Sequence, residues 1–136
     1  MTGLDDAVAL GAADPSGMWS QVASLPAQVE RAPAVLAEVA RLGVTAAAPR
    51  APVLVCGMGG SAIGGDFAAI WAATHGVRVA VHRSYGLPSW VDPNTVLVFS
   101  SYSGNTEETL AAFDASPARA PLRLCIATGG ALAARA

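Results

Sequence analysis

The fold is decided by a short stretch in which an apolar run opens directly into glycines, Val53-Leu54-Val55-Cys56-Gly57-Met58-Gly59-Gly60-Ser61. The four apolar residues, two of them β-branched, predict a short buried strand. The glycines that follow predict a tight loop, and the apolar residues 62–75 are compatible with a helix. A strand, a glycine loop and a helix in this order are typical of a βαβ unit in a parallel sheet.

Three further apolar runs, 77–81, 95–99 and 122–127, predict three more strands, and a helical segment is expected at 107–115. Strands that alternate with helical segments indicate the α/β class with a doubly wound parallel sheet. We expect a flavodoxin-like α-β-α sandwich. We also expect it to be incomplete and the chain truncated, because only about one helical turn follows the fourth strand.

The N-terminal part has a different pattern. Residues 1–16 are expected to be a loose lead-in, and the apolar spacing over 18–43 predicts two helices, with Pro26 in the first turn of the second. The expected domain organisation is an N-terminal lead-in with helices over 1–48 and an α/β domain over 49–136.

Composition excludes several classes of protein. The net charge is −2 and only 13% of the residues are charged, which disfavours a surface built for nucleic acid or for anionic membranes. A hydrophobic content of 53% excludes intrinsic disorder. No apolar run approaches the roughly 18–20 residues of a membrane span. The chain contains no lysine, so neither Schiff-base chemistry nor a Walker lysine is available within it.

The cysteines and the N-terminus predict the compartment. Cys56 and Cys125 are too few for a disulfide scaffold or a zinc site, so we expect two reduced thiols. Acidic residues near the N-terminus disfavour a signal peptide. A cytoplasmic protein without a metal is therefore expected.

Two loops carry the chemistry, and both follow strands. In a flavodoxin-like sheet, strands one and three are neighbours, so the loops after them face the same ligand. Both loops are rich in neutral hydrogen-bond donors and in glycines that allow close approach. The donors are the backbone of Gly60 and the hydroxyls of Ser61, Ser101, Ser103 and Thr106, and the supporting glycines are Gly57, Gly59 and Gly104. These groups match the three acceptor oxygens of a phosphomonoester.

Simpler interpretations compete with this one. Hydroxyls at a strand-to-helix junction often only cap the helix. Glu107 and Glu108 are expected in the first turn of a helix, where the dipole favours acids. His75 and His82 are expected at the end of a helix and of a strand, and neither is assigned a catalytic role. The three tryptophans are expected in core or interface packing; they are Trp19, Trp71 and Trp90.

A dinucleotide site is a second alternative. The stretch 57–62 fits the fingerprint G-x-G-x-x-G/A, but the second strand ends in Val81-His82-Arg83 without the acid that holds a ribose. Because Arg83 could hold a 2′-phosphate, an NADP-binding fragment stays open.

Both loops resemble those of the bifunctional phosphoglucose/phosphomannose isomerases, which belong to the sugar isomerase (SIS) domain superfamily. The resemblance is carried by Gly57-Met58-Gly59-Gly60-Ser61-Ala62-Ile63-Gly64-Gly65-Asp66, Ser101-Tyr102-Ser103-Gly104-Asn105-Thr106-Glu107-Glu108-Thr109, Tyr85-x-Leu87-Pro88-x-Trp90-Val91 and Leu25-Pro26-x-Gln28.

That family interconverts glucose 6-phosphate or mannose 6-phosphate with fructose 6-phosphate, through an enediol and without a metal. The resemblance implies that 49–136 is the first of two SIS domains, that the donors named above bind the phosphate of a hexose 6-phosphate, and that no cofactor is needed. It also implies a homodimer for the full-length protein. The family's catalytic Glu, His and Lys lie beyond this chain, so no catalytic residue is assigned and the chain alone is expected to be inactive. A non-catalytic module that senses a sugar phosphate is the alternative.

Overall fold

The computed structural model describes residues 5–41, 50–117, 120 and 122–136. The chain divides into two compact units, Met1–Thr45 and Ala46–Ala136. None of the helices in the described parts of the chain is both long enough and apolar enough to cross a membrane.

The first unit contains a helix that the sequence did not predict. Helix α1 covers Ala7–Ala13, within the stretch expected to be a loose lead-in. Asp6 caps it, because the carboxylate accepts hydrogen bonds from the backbone N–H groups of Val8 at 3.1 Å and Ala9 at 3.0 Å. The expectation of a loose lead-in was wrong because capping, and not apolar spacing, starts this helix.

Two further helices follow in the first unit. Helix α2 covers Met18–Ala23 and helix α3 covers Leu25–Arg41. The Asp14 carboxylate accepts bonds from the backbone N–H groups of Trp19 at 2.7 Å and Met18 at 2.8 Å, and these bonds lower its pKa. Pro26 lies in the first turn of α3, as predicted, where its missing N–H costs little. The predicted end of this helix at Gly43 lies outside the described residues.

The second unit is the predicted α/β fold. Its elements are β1 (Val53–Gly57), α4 (Gly59–Ala73), β2 (Val79–His82), β3 (Val96–Ser100), α5 (Glu107–Asp114), β4 (Arg123–Ile126) and α6 (Gly130–Arg135). The four strands are all parallel and lie in the order β2-β1-β3-β4. The predicted doubly wound sheet is therefore confirmed, including the neighbouring position of the first and third strands.

Helices cover both faces of the sheet. On one face, the core consists of buried side chains from β1, β3, α5 and α6, namely Leu54, Cys56, Leu97, Phe99, Ala112, Phe113 and Leu132. The rings of Phe99 and Phe113 meet edge to face with centroids 5.2 Å apart. On the other face, α4 packs so closely that a Cβ on Gly65 would lie 2.9 Å from a methyl carbon of Val55. A larger residue would not fit between α4 and the sheet, which explains why a glycine lies in the middle of this helix although glycine disfavours helices.

The predictions for the cysteines and for the tryptophans fare differently. Both cysteines are free, as predicted, and burial raises the pKa of Cys56 to about 12. Of the two expected places for the tryptophans, the core is excluded, because Trp19, Trp71 and Trp90 are 79%, 64% and 49% exposed; interface packing stays a prediction. The sheet face above β1 and β3 is filled by aliphatic, cysteine and phenylalanine side chains instead.

Candidate functional site

A cleft lies at the carboxyl ends of the strands, where the doubly wound topology places ligands. Its volume is about 580 Å³ and its walls come from the segments that follow β1, β3 and β4. The lining residues are Met58, Gly60, Ser61, Ser100, Tyr102, Ile126, Ala127 and Thr128. The first and third loops, which are about 40 residues apart in sequence, therefore meet in one place.

The loops after β1 and β3 are joined directly. The backbone N–H of Tyr102 donates a hydrogen bond to Ser61 Oγ over 3.1 Å. Gly57 makes this approach possible, because a Cβ at that position would lie 2.7 Å from the carbonyl oxygen of Ser100. Glycine at the end of β1 is thus a steric requirement for bringing Ser61 to the third strand.

The segment 101–106, called here the phosphate loop after the role that the sequence predicts for it, is held by its own hydroxyls. Ser101 is fully buried, and its Oγ lies 2.8 Å from Thr106 Oγ1. The Gly104 N–H donates to Ser101 Oγ at 3.1 Å, and the Asn105 N–H donates to Ser103 Oγ at 3.2 Å. Gly104 adopts a φ of +68°, which closes the turn.

These bonds decide which hydroxyl protons are available to a ligand. A hydroxyl has one proton and two lone pairs. Ser61 and Ser103 each accept a backbone N–H, so their own protons stay available for donation. When Ser101 donates to Thr106, the Thr106 proton is available in the same way. Thr106 makes no capping bond to α5, so the simple capping interpretation does not account for its hydroxyl.

The N-termini of α4 and α5 differ in charge. Helix α4 begins at Gly59 with an exposed Gly60 and no acid in its first turn, so its N-terminus offers backbone donors and a favourable dipole to an anion. Helix α5 carries Glu107 and Glu108 in its first turn, as predicted. Tyr85 donates to Glu107 Oε2 at 3.2 Å, and the charges of Glu108 and Glu107 raise the pKa of Tyr85. The α4 end is therefore the better anion site.

The remaining charged and titratable candidates lie apart from the cleft. His75 follows the C-terminal end of α4, where its Nδ1 lies 2.9 Å from the carbonyl oxygen of Trp71 and the two rings stack. His82 ends β2, and its buried Nε2 has no hydrogen-bond partner among the described residues. Arg83 forms an ion pair with Asp66 through one nitrogen of the guanidinium that a 2′-phosphate would need.

The sequence reasoning missed the contribution of the loop after β4. Thr128 lines the cleft, and both its N–H and its hydroxyl donate to the Tyr102 carbonyl oxygen, at 3.0 and 2.6 Å. The signal was present as Thr128-Gly129-Gly130 directly after a strand, which is the same pattern of strand and glycine loop that marks the first loop.

Comparison with curated proteins supports the resemblance. The chain is 44% identical over 81 residues to the bifunctional phosphoglucose/phosphomannose isomerase of Caldicellulosiruptor bescii, a match that covers 59% of this chain and 24% of that protein. Proteins of the same name from Aquifex aeolicus and Thermoplasma acidophilum are 41% identical over 90 residues and 40% identical over 81. These matches cover 65% and 59% of this chain and 28% and 25% of those proteins.

The chain thus spans about a quarter of the length of the curated relatives it matches. No protein-family model and no solved structure matches it significantly. The resemblance first carried by the two loops is confirmed, and the chain is similar to the bifunctional phosphoglucose/phosphomannose isomerases over about three fifths of its length.

Proposed function

We propose that residues 49–136 are the N-terminal SIS domain of a bifunctional phosphoglucose/phosphomannose isomerase and that the cleft binds the phosphate of a hexose 6-phosphate. The observation that carries the proposal is the pattern of hydroxyl protons on the two loops that meet at the cleft, which Ser61 lines, while Ser103 and Thr106 are not among its lining residues. Ser61 and Ser103 both accept a backbone N–H and so retain a proton for an anionic oxygen.

The chemistry of a phosphomonoester fits this arrangement. It carries about −1.5 to −2 charges and three acceptor oxygens, and hydrogen bonds to such charged oxygens are stronger than those between neutral groups. Gly60 at the start of α4 adds backbone donors and the positive end of a helix dipole. Neutral donors can therefore bind the phosphate although no arginine or lysine lines the cleft.

Ser101 has a distinct place in the proposed site. The resemblance implies that it contacts the phosphate, and this remains a prediction. Its burial favours a supporting role within the phosphate loop, because its hydroxyl accepts the Gly104 N–H and orients the Thr106 hydroxyl. Ser61, Ser103 and Thr106 then make the direct contacts in the proposed complex.

The isomerisation itself belongs to the longer protein in this proposal. Aldose–ketose interconversion needs a base near the C1–C2 protons and a group that opens the sugar ring. The side chains that line the cleft include no carboxylate and no imidazole. We therefore propose that this part of the protein positions the phosphate without a cofactor, and that the full-length protein is a cytoplasmic homodimer whose other parts supply the acid–base groups.

Calorimetric titration with fructose 6-phosphate tests the proposal. Ser61→Ala and Ser103→Ala should each weaken binding about 10- to 150-fold, since each removes a donor to a charged oxygen worth roughly 1.5–3 kcal/mol. Ser116→Ala is the matched control, because Ser116 bonds the Phe113 carbonyl at the far end of α5. Wild-type binding that both cleft variants retain would refute the site, and tighter binding of NADPH than of the sugar phosphate would favour the dinucleotide alternative.

A further inference from the structure

We infer that Asn105 and Thr128 are positioning residues, through which the loop after β4 sets the geometry of the phosphate loop. This inference rests on the proposed function, since it concerns the same site. The loop after β4, residues 127–131, is called here the β4–α6 loop. Neither residue is proposed to touch the phosphate; each acts through the backbone that presents the hydroxyls.

Three hydrogen bonds join the phosphate loop to the β4–α6 loop, and a fourth joins it to Leu132 in the first turn of α6. Two of them run from the N–H and the hydroxyl of Thr128 to the carbonyl oxygen of Tyr102, at 3.0 and 2.6 Å. A third runs from the Ala131 N–H to Asn105 Oδ1 at 2.9 Å, and a fourth from the Leu132 N–H to the Gly104 carbonyl oxygen, also at 2.9 Å. The phosphate loop is thus bonded at three of its six residues, Tyr102, Gly104 and Asn105.

The backbones also meet without intervening side chains. A Cβ on Gly104 would lie 1.9 Å from the carbonyl oxygen of Gly129, and one on Gly130 would lie 2.3 Å from that of Ser103. Both glycines have positive φ values, +68° and +72°. Contact this close leaves the phosphate loop little room to move relative to the β4–α6 loop.

Tyr102 is the point at which all three loops connect. Its N–H donates to Ser61 and its carbonyl oxygen accepts from Thr128, so its backbone is held from both sides. Its side chain is 79% exposed and takes no part in this arrangement. Loss of the Thr128 hydroxyl should therefore shift the backbone of Tyr102. That shift should displace Ser61, which accepts the Tyr102 N–H, and Ser103, which is the next residue in the chain.

The test measures affinity for fructose 6-phosphate and thermal stability in the same set of variants, well below their unfolding midpoints. Thr128→Val and Asn105→Ala should each weaken binding about three- to tenfold, as expected for loss of one supporting hydrogen bond. Thr128→Ser keeps the hydroxyl and should bind within about twofold of wild type. Arg135→Gln removes the ion pair with Asp114 between α6 and α5, 2.6 Å long, and should leave the affinity unchanged whatever it does to stability.

The outcomes separate the inference from the proposed function. Saturable binding by the wild type that Thr128→Val and Asn105→Ala both retain would overturn the inference alone. Absence of binding by the wild type would overturn the proposed function and the inference with it. Should Asn105→Ala fail to fold, Thr128→Val decides the matter, because at an exposed residue it replaces the hydroxyl by a methyl group of similar volume.

Discussion

Replacing Gly104 by alanine tests whether close backbone contact shapes the site. The substitution has two costs. The first is the left-handed backbone, φ +68°, which costs an L-residue about 1 kcal/mol. The second is steric, because the new Cβ would lie 1.9 Å from the Gly129 carbonyl oxygen, far inside any allowed contact. The phosphate loop and the β4–α6 loop must then separate.

Separation of the loops should break two of the four hydrogen bonds described above. They run from the Leu132 N–H to the Gly104 carbonyl oxygen and from the Ala131 N–H to Asn105 Oδ1. At about 1 kcal/mol each, their loss and the backbone strain together predict a destabilisation of about 3 kcal/mol. Gly86→Ala is the matched control, because Gly86 has a φ of +66° but nothing within 4 Å of its would-be Cβ. It should cost only about 1 kcal/mol.

Equilibrium unfolding in urea measures both free energies on the same protein. We expect Gly104→Ala to lose about 2 kcal/mol more than Gly86→Ala. We also expect Gly104→Ala to lose fructose 6-phosphate binding, which Gly86→Ala should keep. Equal losses of stability in the two variants would show that the loops tolerate separation, and the reasoning from close contact would then be wrong.

Three further predictions concern the whole chain. Iodoacetamide at about pH 8 should alkylate Cys125 before Cys56 in the native protein, since burial raises the pKa of Cys56 to about 12 and only the thiolate reacts; faster labelling of Cys56, read by mass spectrometry, would contradict its burial. The purified chain should not form fructose 6-phosphate from glucose 6-phosphate or mannose 6-phosphate in a coupled assay, because no acid–base pair lines the cleft; turnover abolished by His82→Ala would place the catalytic groups elsewhere. Sedimentation should show self-association, because α4 exposes an apolar stripe, Ile63, Phe67, Ile70 and Trp71. A monodisperse monomer in that experiment would contradict the predicted self-association.

Much of the fold could be predicted because its signals are local. A short apolar run followed by glycine marks a buried strand and the loop after it, and the alternation of strands and helices implies a parallel sheet. The sheet order β2-β1-β3-β4 followed from the topology rule for such sheets. The same rule brought Ser61 to the phosphate loop. Helix α1 escaped prediction because its start depends on one carboxylate, Asp6, and not on a repeating pattern.

The sequence by itself determined which groups the two loops could offer, since the types of side chain and their order after each strand are written in it. Only the tertiary structure decided how those groups are used. It buried Ser101 at the start of the phosphate loop, paired Arg83 with Asp66 and bonded Tyr102 to Thr128. The physical reason is that a hydrogen bond or a steric contact depends on distances of a few ångströms between segments far apart in the chain. Such distances are set when the strands pack side by side, and no local pattern encodes them.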